Sequence, residues 1–135
     1  METVFETLEF VAVRERLATH AVSEIGKEFV RKIKPLQNSR QIESNLQQTT
    51  ECRDLIDYDQ SPPLGNIPEI RPHLKRAAIE NSVLSSEECG QVGQFCAVVR
   101  NCAAYFSTRE ENTPALKTVY NKLEPVQDLE KAIFK

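Results

Sequence analysis

Four cysteines and two histidines are the residues of this 135-residue chain whose chemistry could hold a metal or supply a nucleophile and its base. A structural zinc site needs ligand pairs two to five residues apart, whereas Cys52, Cys89, Cys96 and Cys102 contain no such pair and only His20 and His73 can supplement them. Cys89 and Cys96 are seven apart, which on a helix separates them by ~10 Å and puts them beyond disulfide reach. The cysteines are therefore expected to be buried small hydrophobes. His20 falls at an expected helix end, where a packed or dipole-stabilised histidine is commoner than a catalytic base. No cysteine has a histidine nearby in sequence, and no G-x-S-x-G elbow is present. Gly26-Lys27 is followed by Glu28 and preceded five positions earlier by Ala21, so the phosphate-loop pattern fails at both ends. Gly90 and Gly93 lack the strand and spacing of a dinucleotide fingerprint and read as helix-packing positions. Glu87-Glu88 and Glu110-Glu111 are adjacent pairs that diverge on a helix, where capping and solvation explain them. No catalytic residue, metal ligand or cofactor site emerges, and the segment reads as non-enzymatic.

Charge offers a second kind of chemistry. The net charge of −3 argues against a dedicated nucleic-acid binder, but basic residues cluster in two places. Residues 14–34 carry Arg14, Arg16, Lys27, Arg31, Lys32 and Lys34 against Glu15, Glu24 and Glu28; a second group is Arg71, His73, Lys75 and Arg76. Interleaved acids favour solvated helix faces. The surface that could contact phosphate is Arg14, Arg31, Arg71, Lys75 and Arg76.

Amphipathic helices must position these side chains. At 40 % hydrophobic and 27 % charged residues the composition is that of one globular domain over residues 1–135, able to build a core without disulfides or metal. No apolar run approaches the ~20 residues of a membrane span, and the N-terminus lacks a signal-peptide pattern, so no membrane association and a cytoplasmic location are expected. Thr3 with Glu6 can form a capping box for a first helix ending near His20, with Phe10, Val13, Leu17 and Ala21 on one face. Val22, Ile25, Phe29 and Ile33 mark a second helix that Pro35 stops, with Gly26 at a close helix contact. Asn38 with Gln41 opens a third helix running to about Tyr58. Ser61-Pro62-Pro63-Leu64-Gly65-Asn66 cannot be helical and reads as a rigid, ordered corner over 61–72. Pro72 to Glu80 is expected to be a short helix turning Leu74, Ala77 and Ala78 inward. Ser85-Ser86-Glu87-Glu88 is a capping box that starts the longest helix, about 85–108, with Cys89, Val92, Cys96, Val99, Ala103 and Phe106 along a bundle seam. Thr113-Pro114 opens a shorter helix ended by Pro125, and Val126, Leu129 and Ile133 begin a last one, still periodic at Lys135. The expected fold is all-α, an irregular bundle of six to seven helices, and the periodic ending reads as part of a longer chain.

This order of signals resembles the N-terminal core region of bacterial MutS-type ATPases, in the branch associated with recombination suppression and ribosome quality control. The resemblance rests on Leu8-Glu9-Phe10, Ala21 to Lys27, Pro35, Ser61-Pro62-Pro63-Leu64-Gly65, Ile70-Arg71-Pro72, Leu74-Lys75-Arg76-Ala77, Val83-Leu84-Ser85 with Glu87, Leu123-Glu124-Pro125 and Leu129-Glu130. Asn81-Ser82 replaces a glycine pair and Asn66 a further glycine, and asparagine keeps such turns accessible. The resemblance implies a helical scaffold that couples ATPase and clamp regions of its own chain, with ATP and magnesium bound outside this segment, a homodimeric full-length protein, often an added nuclease domain, and branched DNA or the ribosome as target. A stand-alone helical adaptor for protein–protein interaction is the alternative.

Overall fold

The structure, a computed structural model, describes residues 9–135. Among the described residues there are seven α-helices, one short 3-10 helix and no strand. The all-α expectation therefore holds. The Thr3–Glu6 capping box lies outside the described residues. The chain divides into two compact units, one ending at Pro35 and the other spanning Leu36–Lys135.

The N-terminal unit packs α1, Phe10–Ala18, against α2, Glu24–Arg31. The Ser23 hydroxyl caps α2 by accepting the Gly26 N–H at 3.0 Å, and Glu24 and Arg31 oppose the helix dipole at its two ends. A Cβ at Gly26 would lie 3.1 Å from Ser23 Oγ and 3.5 Å from Ala21 Cβ. The close contact expected at this glycine is thus with the helix's own N-cap. Ala18 is the buried residue of α1.

The second unit begins with α3, Ser39–Tyr58, capped by Asn38, whose Oδ1 accepts the Gln41 N–H at 3.2 Å. Its buried strip holds only Glu51 and Leu55, while Leu46 and Ile56 stay exposed. The non-helical corner leads to α4, Arg71–Ala77, with Pro72 in its first turn, where its missing donor costs nothing. Leu74, Ala77 and Ala78 face solvent, not the core. His73 and Arg76, three residues apart, instead share the face that α4 turns toward the next helix, held there by Gln91 and Glu88. Asn81 adopts φ 63°, the left-handed geometry expected where a glycine pair is replaced.

The long helix α5 spans Ser86–Ser107 and starts with the expected capping box, Ser85 and Glu88 each accepting from the other's backbone. It carries Val92, Gly93, Cys96 and Cys102 into the interior. Ile70, Val92 and Cys96 form a core cluster, with Phe95 and Ile133 packed on it. A 3-10 turn, Glu110–Asn112, precedes α6, Lys117–Tyr120, and α7, Gln127–Ile133. Thr113, fully buried, does not open a helix at Pro114. Its hydroxyl donates back to the Arg109 carbonyl at 2.7 Å and its own carbonyl accepts the Lys117 N–H at 3.1 Å, so a turn over residues 114–116 leads into α6 at Lys117. The Phe106 and Tyr120 rings stack with centroids 4.8 Å apart. Of the two glycines expected to mediate packing in α5, Gly93 does so: a Cβ there would sit 2.7 Å from the Phe134 ring. A Cβ at Gly90 would meet nothing within 4 Å.

Candidate functional site

The proline-rich corner and α4 bring Arg71, Lys75 and Arg76 together, but two of the three cations are engaged. The Arg71 guanidinium grips Glu69, whose carboxylate also accepts the Arg71 backbone N–H at 3.0 Å. This side-chain and backbone grip pulls the Glu69 carboxyl down to about 2. Arg76 donates to Glu88 Oε2 at 2.6 Å and to the Val83 carbonyl at 3.3 Å. Glu88 is at the same time the reciprocal half of the capping box, its Oε2 accepting the Ser85 N–H at 2.7 Å. That backbone bond, followed by the Ser85 hydroxyl and the Arg76 charge, holds the Glu88 carboxyl below its ordinary value. His73 lies between, Nδ1 3.6 Å from Glu88 Oε1 and Nε2 2.6 Å from Gln91 Oε1. Lys75 is exposed and, among the described residues, its side chain makes no ion pair or hydrogen bond. Of this group it is the cation that can meet an incoming phosphate without first giving up a carboxylate.

Arg14 and Arg31 belong to the N-terminal unit and are also committed. Arg14 Nη1 donates to the Ile33 carbonyl at 3.2 Å, its guanidinium lies 5.3 Å from the Phe10 ring centroid, and its Nε is buried without a partner. Arg31 Nε reaches both Glu15 oxygens at 3.1 and 3.2 Å. These two arginines close the α1–α2 hairpin.

Sequence reasoning missed a polar junction around the end of α3. Glu51, only 5 % exposed, accepts the N–H groups of Ala115 and Leu116 at 3.0 and 2.9 Å, so a carboxylate from α3 supplies the cap that α6 lacks in its own sequence. Gln48 Nε2 adds bonds to the Ala115 carbonyl and the Thr118 hydroxyl. Asp59 holds Arg109 through two guanidinium nitrogens at 2.7 and 3.2 Å, and Arg109 lies 3.8 Å over the Tyr105 ring. The Tyr105 hydroxyl donates to the Gln60 carbonyl and Cys102 Sγ approaches the Pro63 carbonyl at 3.7 Å, fastening the corner to α5. No local signal marks Glu51, because its partners lie 64 and 65 residues further on.

All four cysteines are free thiols, and burial pushes Cys52, Cys96 and Cys102 above the ordinary thiol value, away from nucleophilic character. Among the described residues no cluster of three or more His, Cys, Asp or Glu side chains is placed to hold a metal, and no helix is long and apolar enough to cross a membrane.

No family model and no solved structure matches the chain. Curated relatives do. It is 28 % identical to endonuclease MutS2 of Shouchella clausii over 98 % of its own length and 17 % of the relative's. It is 29 % identical to the putative endonuclease MutS2 of Bacillus subtilis over the same shares of both chains. Against endonuclease MutS2 of Geobacillus kaustophilus it is 37 % identical over 72 % of this chain and 12 % of that protein. The chain spans about a sixth of the length of the first two relatives, at 17 % of each. It is a homologue of the N-terminal region of MutS2, a paralogous branch of the MutS family.

Proposed function

We propose that this chain is a non-catalytic helical scaffold that couples the ATPase and clamp regions of a MutS-like, DNA-dependent ATPase acting in suppression of recombination or rescue of collided ribosomes. The observation that carries this reading is the match of 98 % of the chain to MutS2 relatives, in a segment whose ionic groups join one helix to the next. Tight inter-helix ion pairs suit a part that transmits displacement. Its partners are then the rest of its own polypeptide, which binds ATP and magnesium and forms a homodimer in the cytoplasm, and branched DNA or the ribosome beyond it.

A chimera tests this: the first sixth of the Bacillus subtilis relative is replaced by this chain, and ATP hydrolysis is measured with and without branched DNA and ribosomes. The chimera is expected to hydrolyse ATP and to respond to one of the two. Hydrolysis that ignores both in the chimera, but not in the unmodified relative, defeats the coupling role.

The stand-alone adaptor reading draws on Leu74, Ile79 and Val83, which are 51 %, 62 % and 81 % exposed around α4. It predicts that Leu74→Asp and Val83→Asp abolish binding of a partner protein by the isolated chain while leaving the chimera's ATPase response unchanged.

A further inference from the structure

We infer that Glu88 makes the seating of α4 and the capping of α5 a single conformational event, so that a change at the proline-rich corner reaches the long helix at its first turn. What holds α4 in place is the starting point. Ile70, buried in the core cluster, fixes its N-terminal end, but residues 74–81 are all exposed, so no apolar side chain seats its C-terminal half among the described residues. Polar bonds do so instead. Arg76 Nη2 donates to Glu88 Oε2 at 2.6 Å, His73 Nδ1 lies 3.6 Å from Glu88 Oε1, and His73 Nε2 meets Gln91, one turn further along α5, at 2.6 Å. Arg76 also donates to the Val83 carbonyl, and its own carbonyl accepts the Ser82 hydroxyl, but both of these bonds stay within the turn that joins the two helices. The bonds that cross to α5 end on Glu88 and Gln91.

The oxygen that receives Arg76 also caps α5. Glu88 Oε2 accepts the Ser85 N–H at 2.7 Å, and the Ser85 hydroxyl accepts the Glu88 N–H at 3.2 Å in return. A carboxylate oxygen has two lone pairs, so the Arg76 and Ser85 donors fill it together without displacing one another. Both bonds need the one Glu88 rotamer that points back toward Ser85, and the entropy lost in fixing that long side chain is lost once for the two. Each bond therefore makes the other more favourable. Removing Arg76 frees the rotamer and weakens the cap, while removing the cap loosens the anchor of α4. The Glu88 side chain is only 17 % exposed, so water replaces a missing donor poorly.

Any use of this link in transmitting movement rests on the coupling role proposed above; the link itself does not. Amide hydrogen exchange on the 135-residue chain tests it. The readouts are the Glu88 and Cys89 amides in the first turn of α5, bonded to the Ser85 hydroxyl and carbonyl, and the Ala78 and Ile79 amides at the end of α4, bonded to the Leu74 and Arg76 carbonyls. Arg76→Met keeps the side-chain stem and removes the donors. It should speed exchange at Glu88 and Cys89 at least about 5-fold and leave Val92 to Val99 within about 2-fold of the parent. Lys75→Met removes the neighbouring charge, whose side chain makes no ion pair or hydrogen bond among the described residues, and should change the same amides by less than about 2-fold. Ser85→Ala reads the link from the other end: it should speed Ala78 and Ile79 at least about 3-fold, although Ser85 makes none of the bonds that hold α4. In a Glu88→Ala background, adding Arg76→Met should change Cys89 exchange by less than about 1.5-fold, because the route through the carboxylate is gone. Should Arg76→Met fail to fold, Ser85→Ala decides. Unchanged Glu88 and Cys89 amides in Arg76→Met, the same acceleration with and without Glu88, acceleration spread evenly to Val99, or unchanged Ala78 and Ile79 amides in Ser85→Ala overturns the inference. A link that behaves as described in a chain whose chimera shows no ATPase response leaves this inference standing and removes the coupling role.

Discussion

Replacing Glu51 with alanine should cost the second unit about 3 kcal/mol. The carboxylate accepts two backbone N–H groups, from Ala115 and Leu116 at 3.0 and 2.9 Å, while 95 % of its surface is shielded. Hydrogen bonds to charged groups contribute roughly 1.5–3 kcal/mol each, and deleting one partner also strands the other. The lower figure applies to both bonds, because Ala115 and Leu116 are only half-buried and water can reach part of the exposed site. For a unit of about 100 residues, ~3 kcal/mol corresponds to a fall in Tm of roughly 12–15 °C. Glu51→Gln retains one neutral acceptor and should cost about half as much. Urea unfolding followed by far-ultraviolet circular dichroism, compared at a common m-value, gives both numbers. An alanine variant within 0.5 kcal/mol of the parent, or a glutamine variant as damaging as alanine, would refute the claim that this carboxylate caps α6.

Three further outcomes are expected. Glu69 should titrate near 2 instead of its ordinary 4.5, so the stability from its pairing with Arg71 is complete above about pH 4.5 and is lost as pH falls toward 2. Carboxyl-carbon NMR should show this, and Arg71→Gln should return the titration toward the ordinary value. Ser85→Ala removes the acceptor for the Glu88 N–H and should lower stability by about 1 kcal/mol in denaturant titrations, with Ser85→Asp restoring most of it. Lys75→Glu, which breaks no internal pair, should leave stability within about 0.5 kcal/mol while reducing the salt slope of any nucleic-acid binding by about one. An unchanged slope would remove Lys75 from the interface.

Local punctuation made most helix boundaries readable. Asn38 with Gln41, Ser23, the Ser85 capping box and Pro35 act within a few residues of themselves, so a short window of sequence contains the whole interaction. Side-chain direction was less legible where polar anchors outweigh apolar ones. Leu74, Ala77 and Ala78 look inward by type, yet His73 and Arg76 win the face of α4 because α5 offers Gln91 and Glu88. Gly93 and Gly90 look alike in sequence, and only the arrival of Phe134 separates a socket from a surface position. The basic residues were visible as charges, but their engagement was not, since carboxylates such as Glu15 and Glu69 are recruited by the fold.

The junction at the end of α3 bears on how long the native state survives. Its bonds join residues 50 to 65 positions apart, Asp59 to Arg109 and Glu51 to Ala115 and Leu116, whereas the helix caps close over three. Caps can form within microseconds of collapse, but the distant pairs must await closure of long loops and are expected to lock only after the folding barrier is crossed. Weakening them should then quicken unfolding and leave the refolding rate nearly untouched. The lifetime of the second unit, as distinct from its ease of formation, is therefore expected to depend on Glu51 and Arg109.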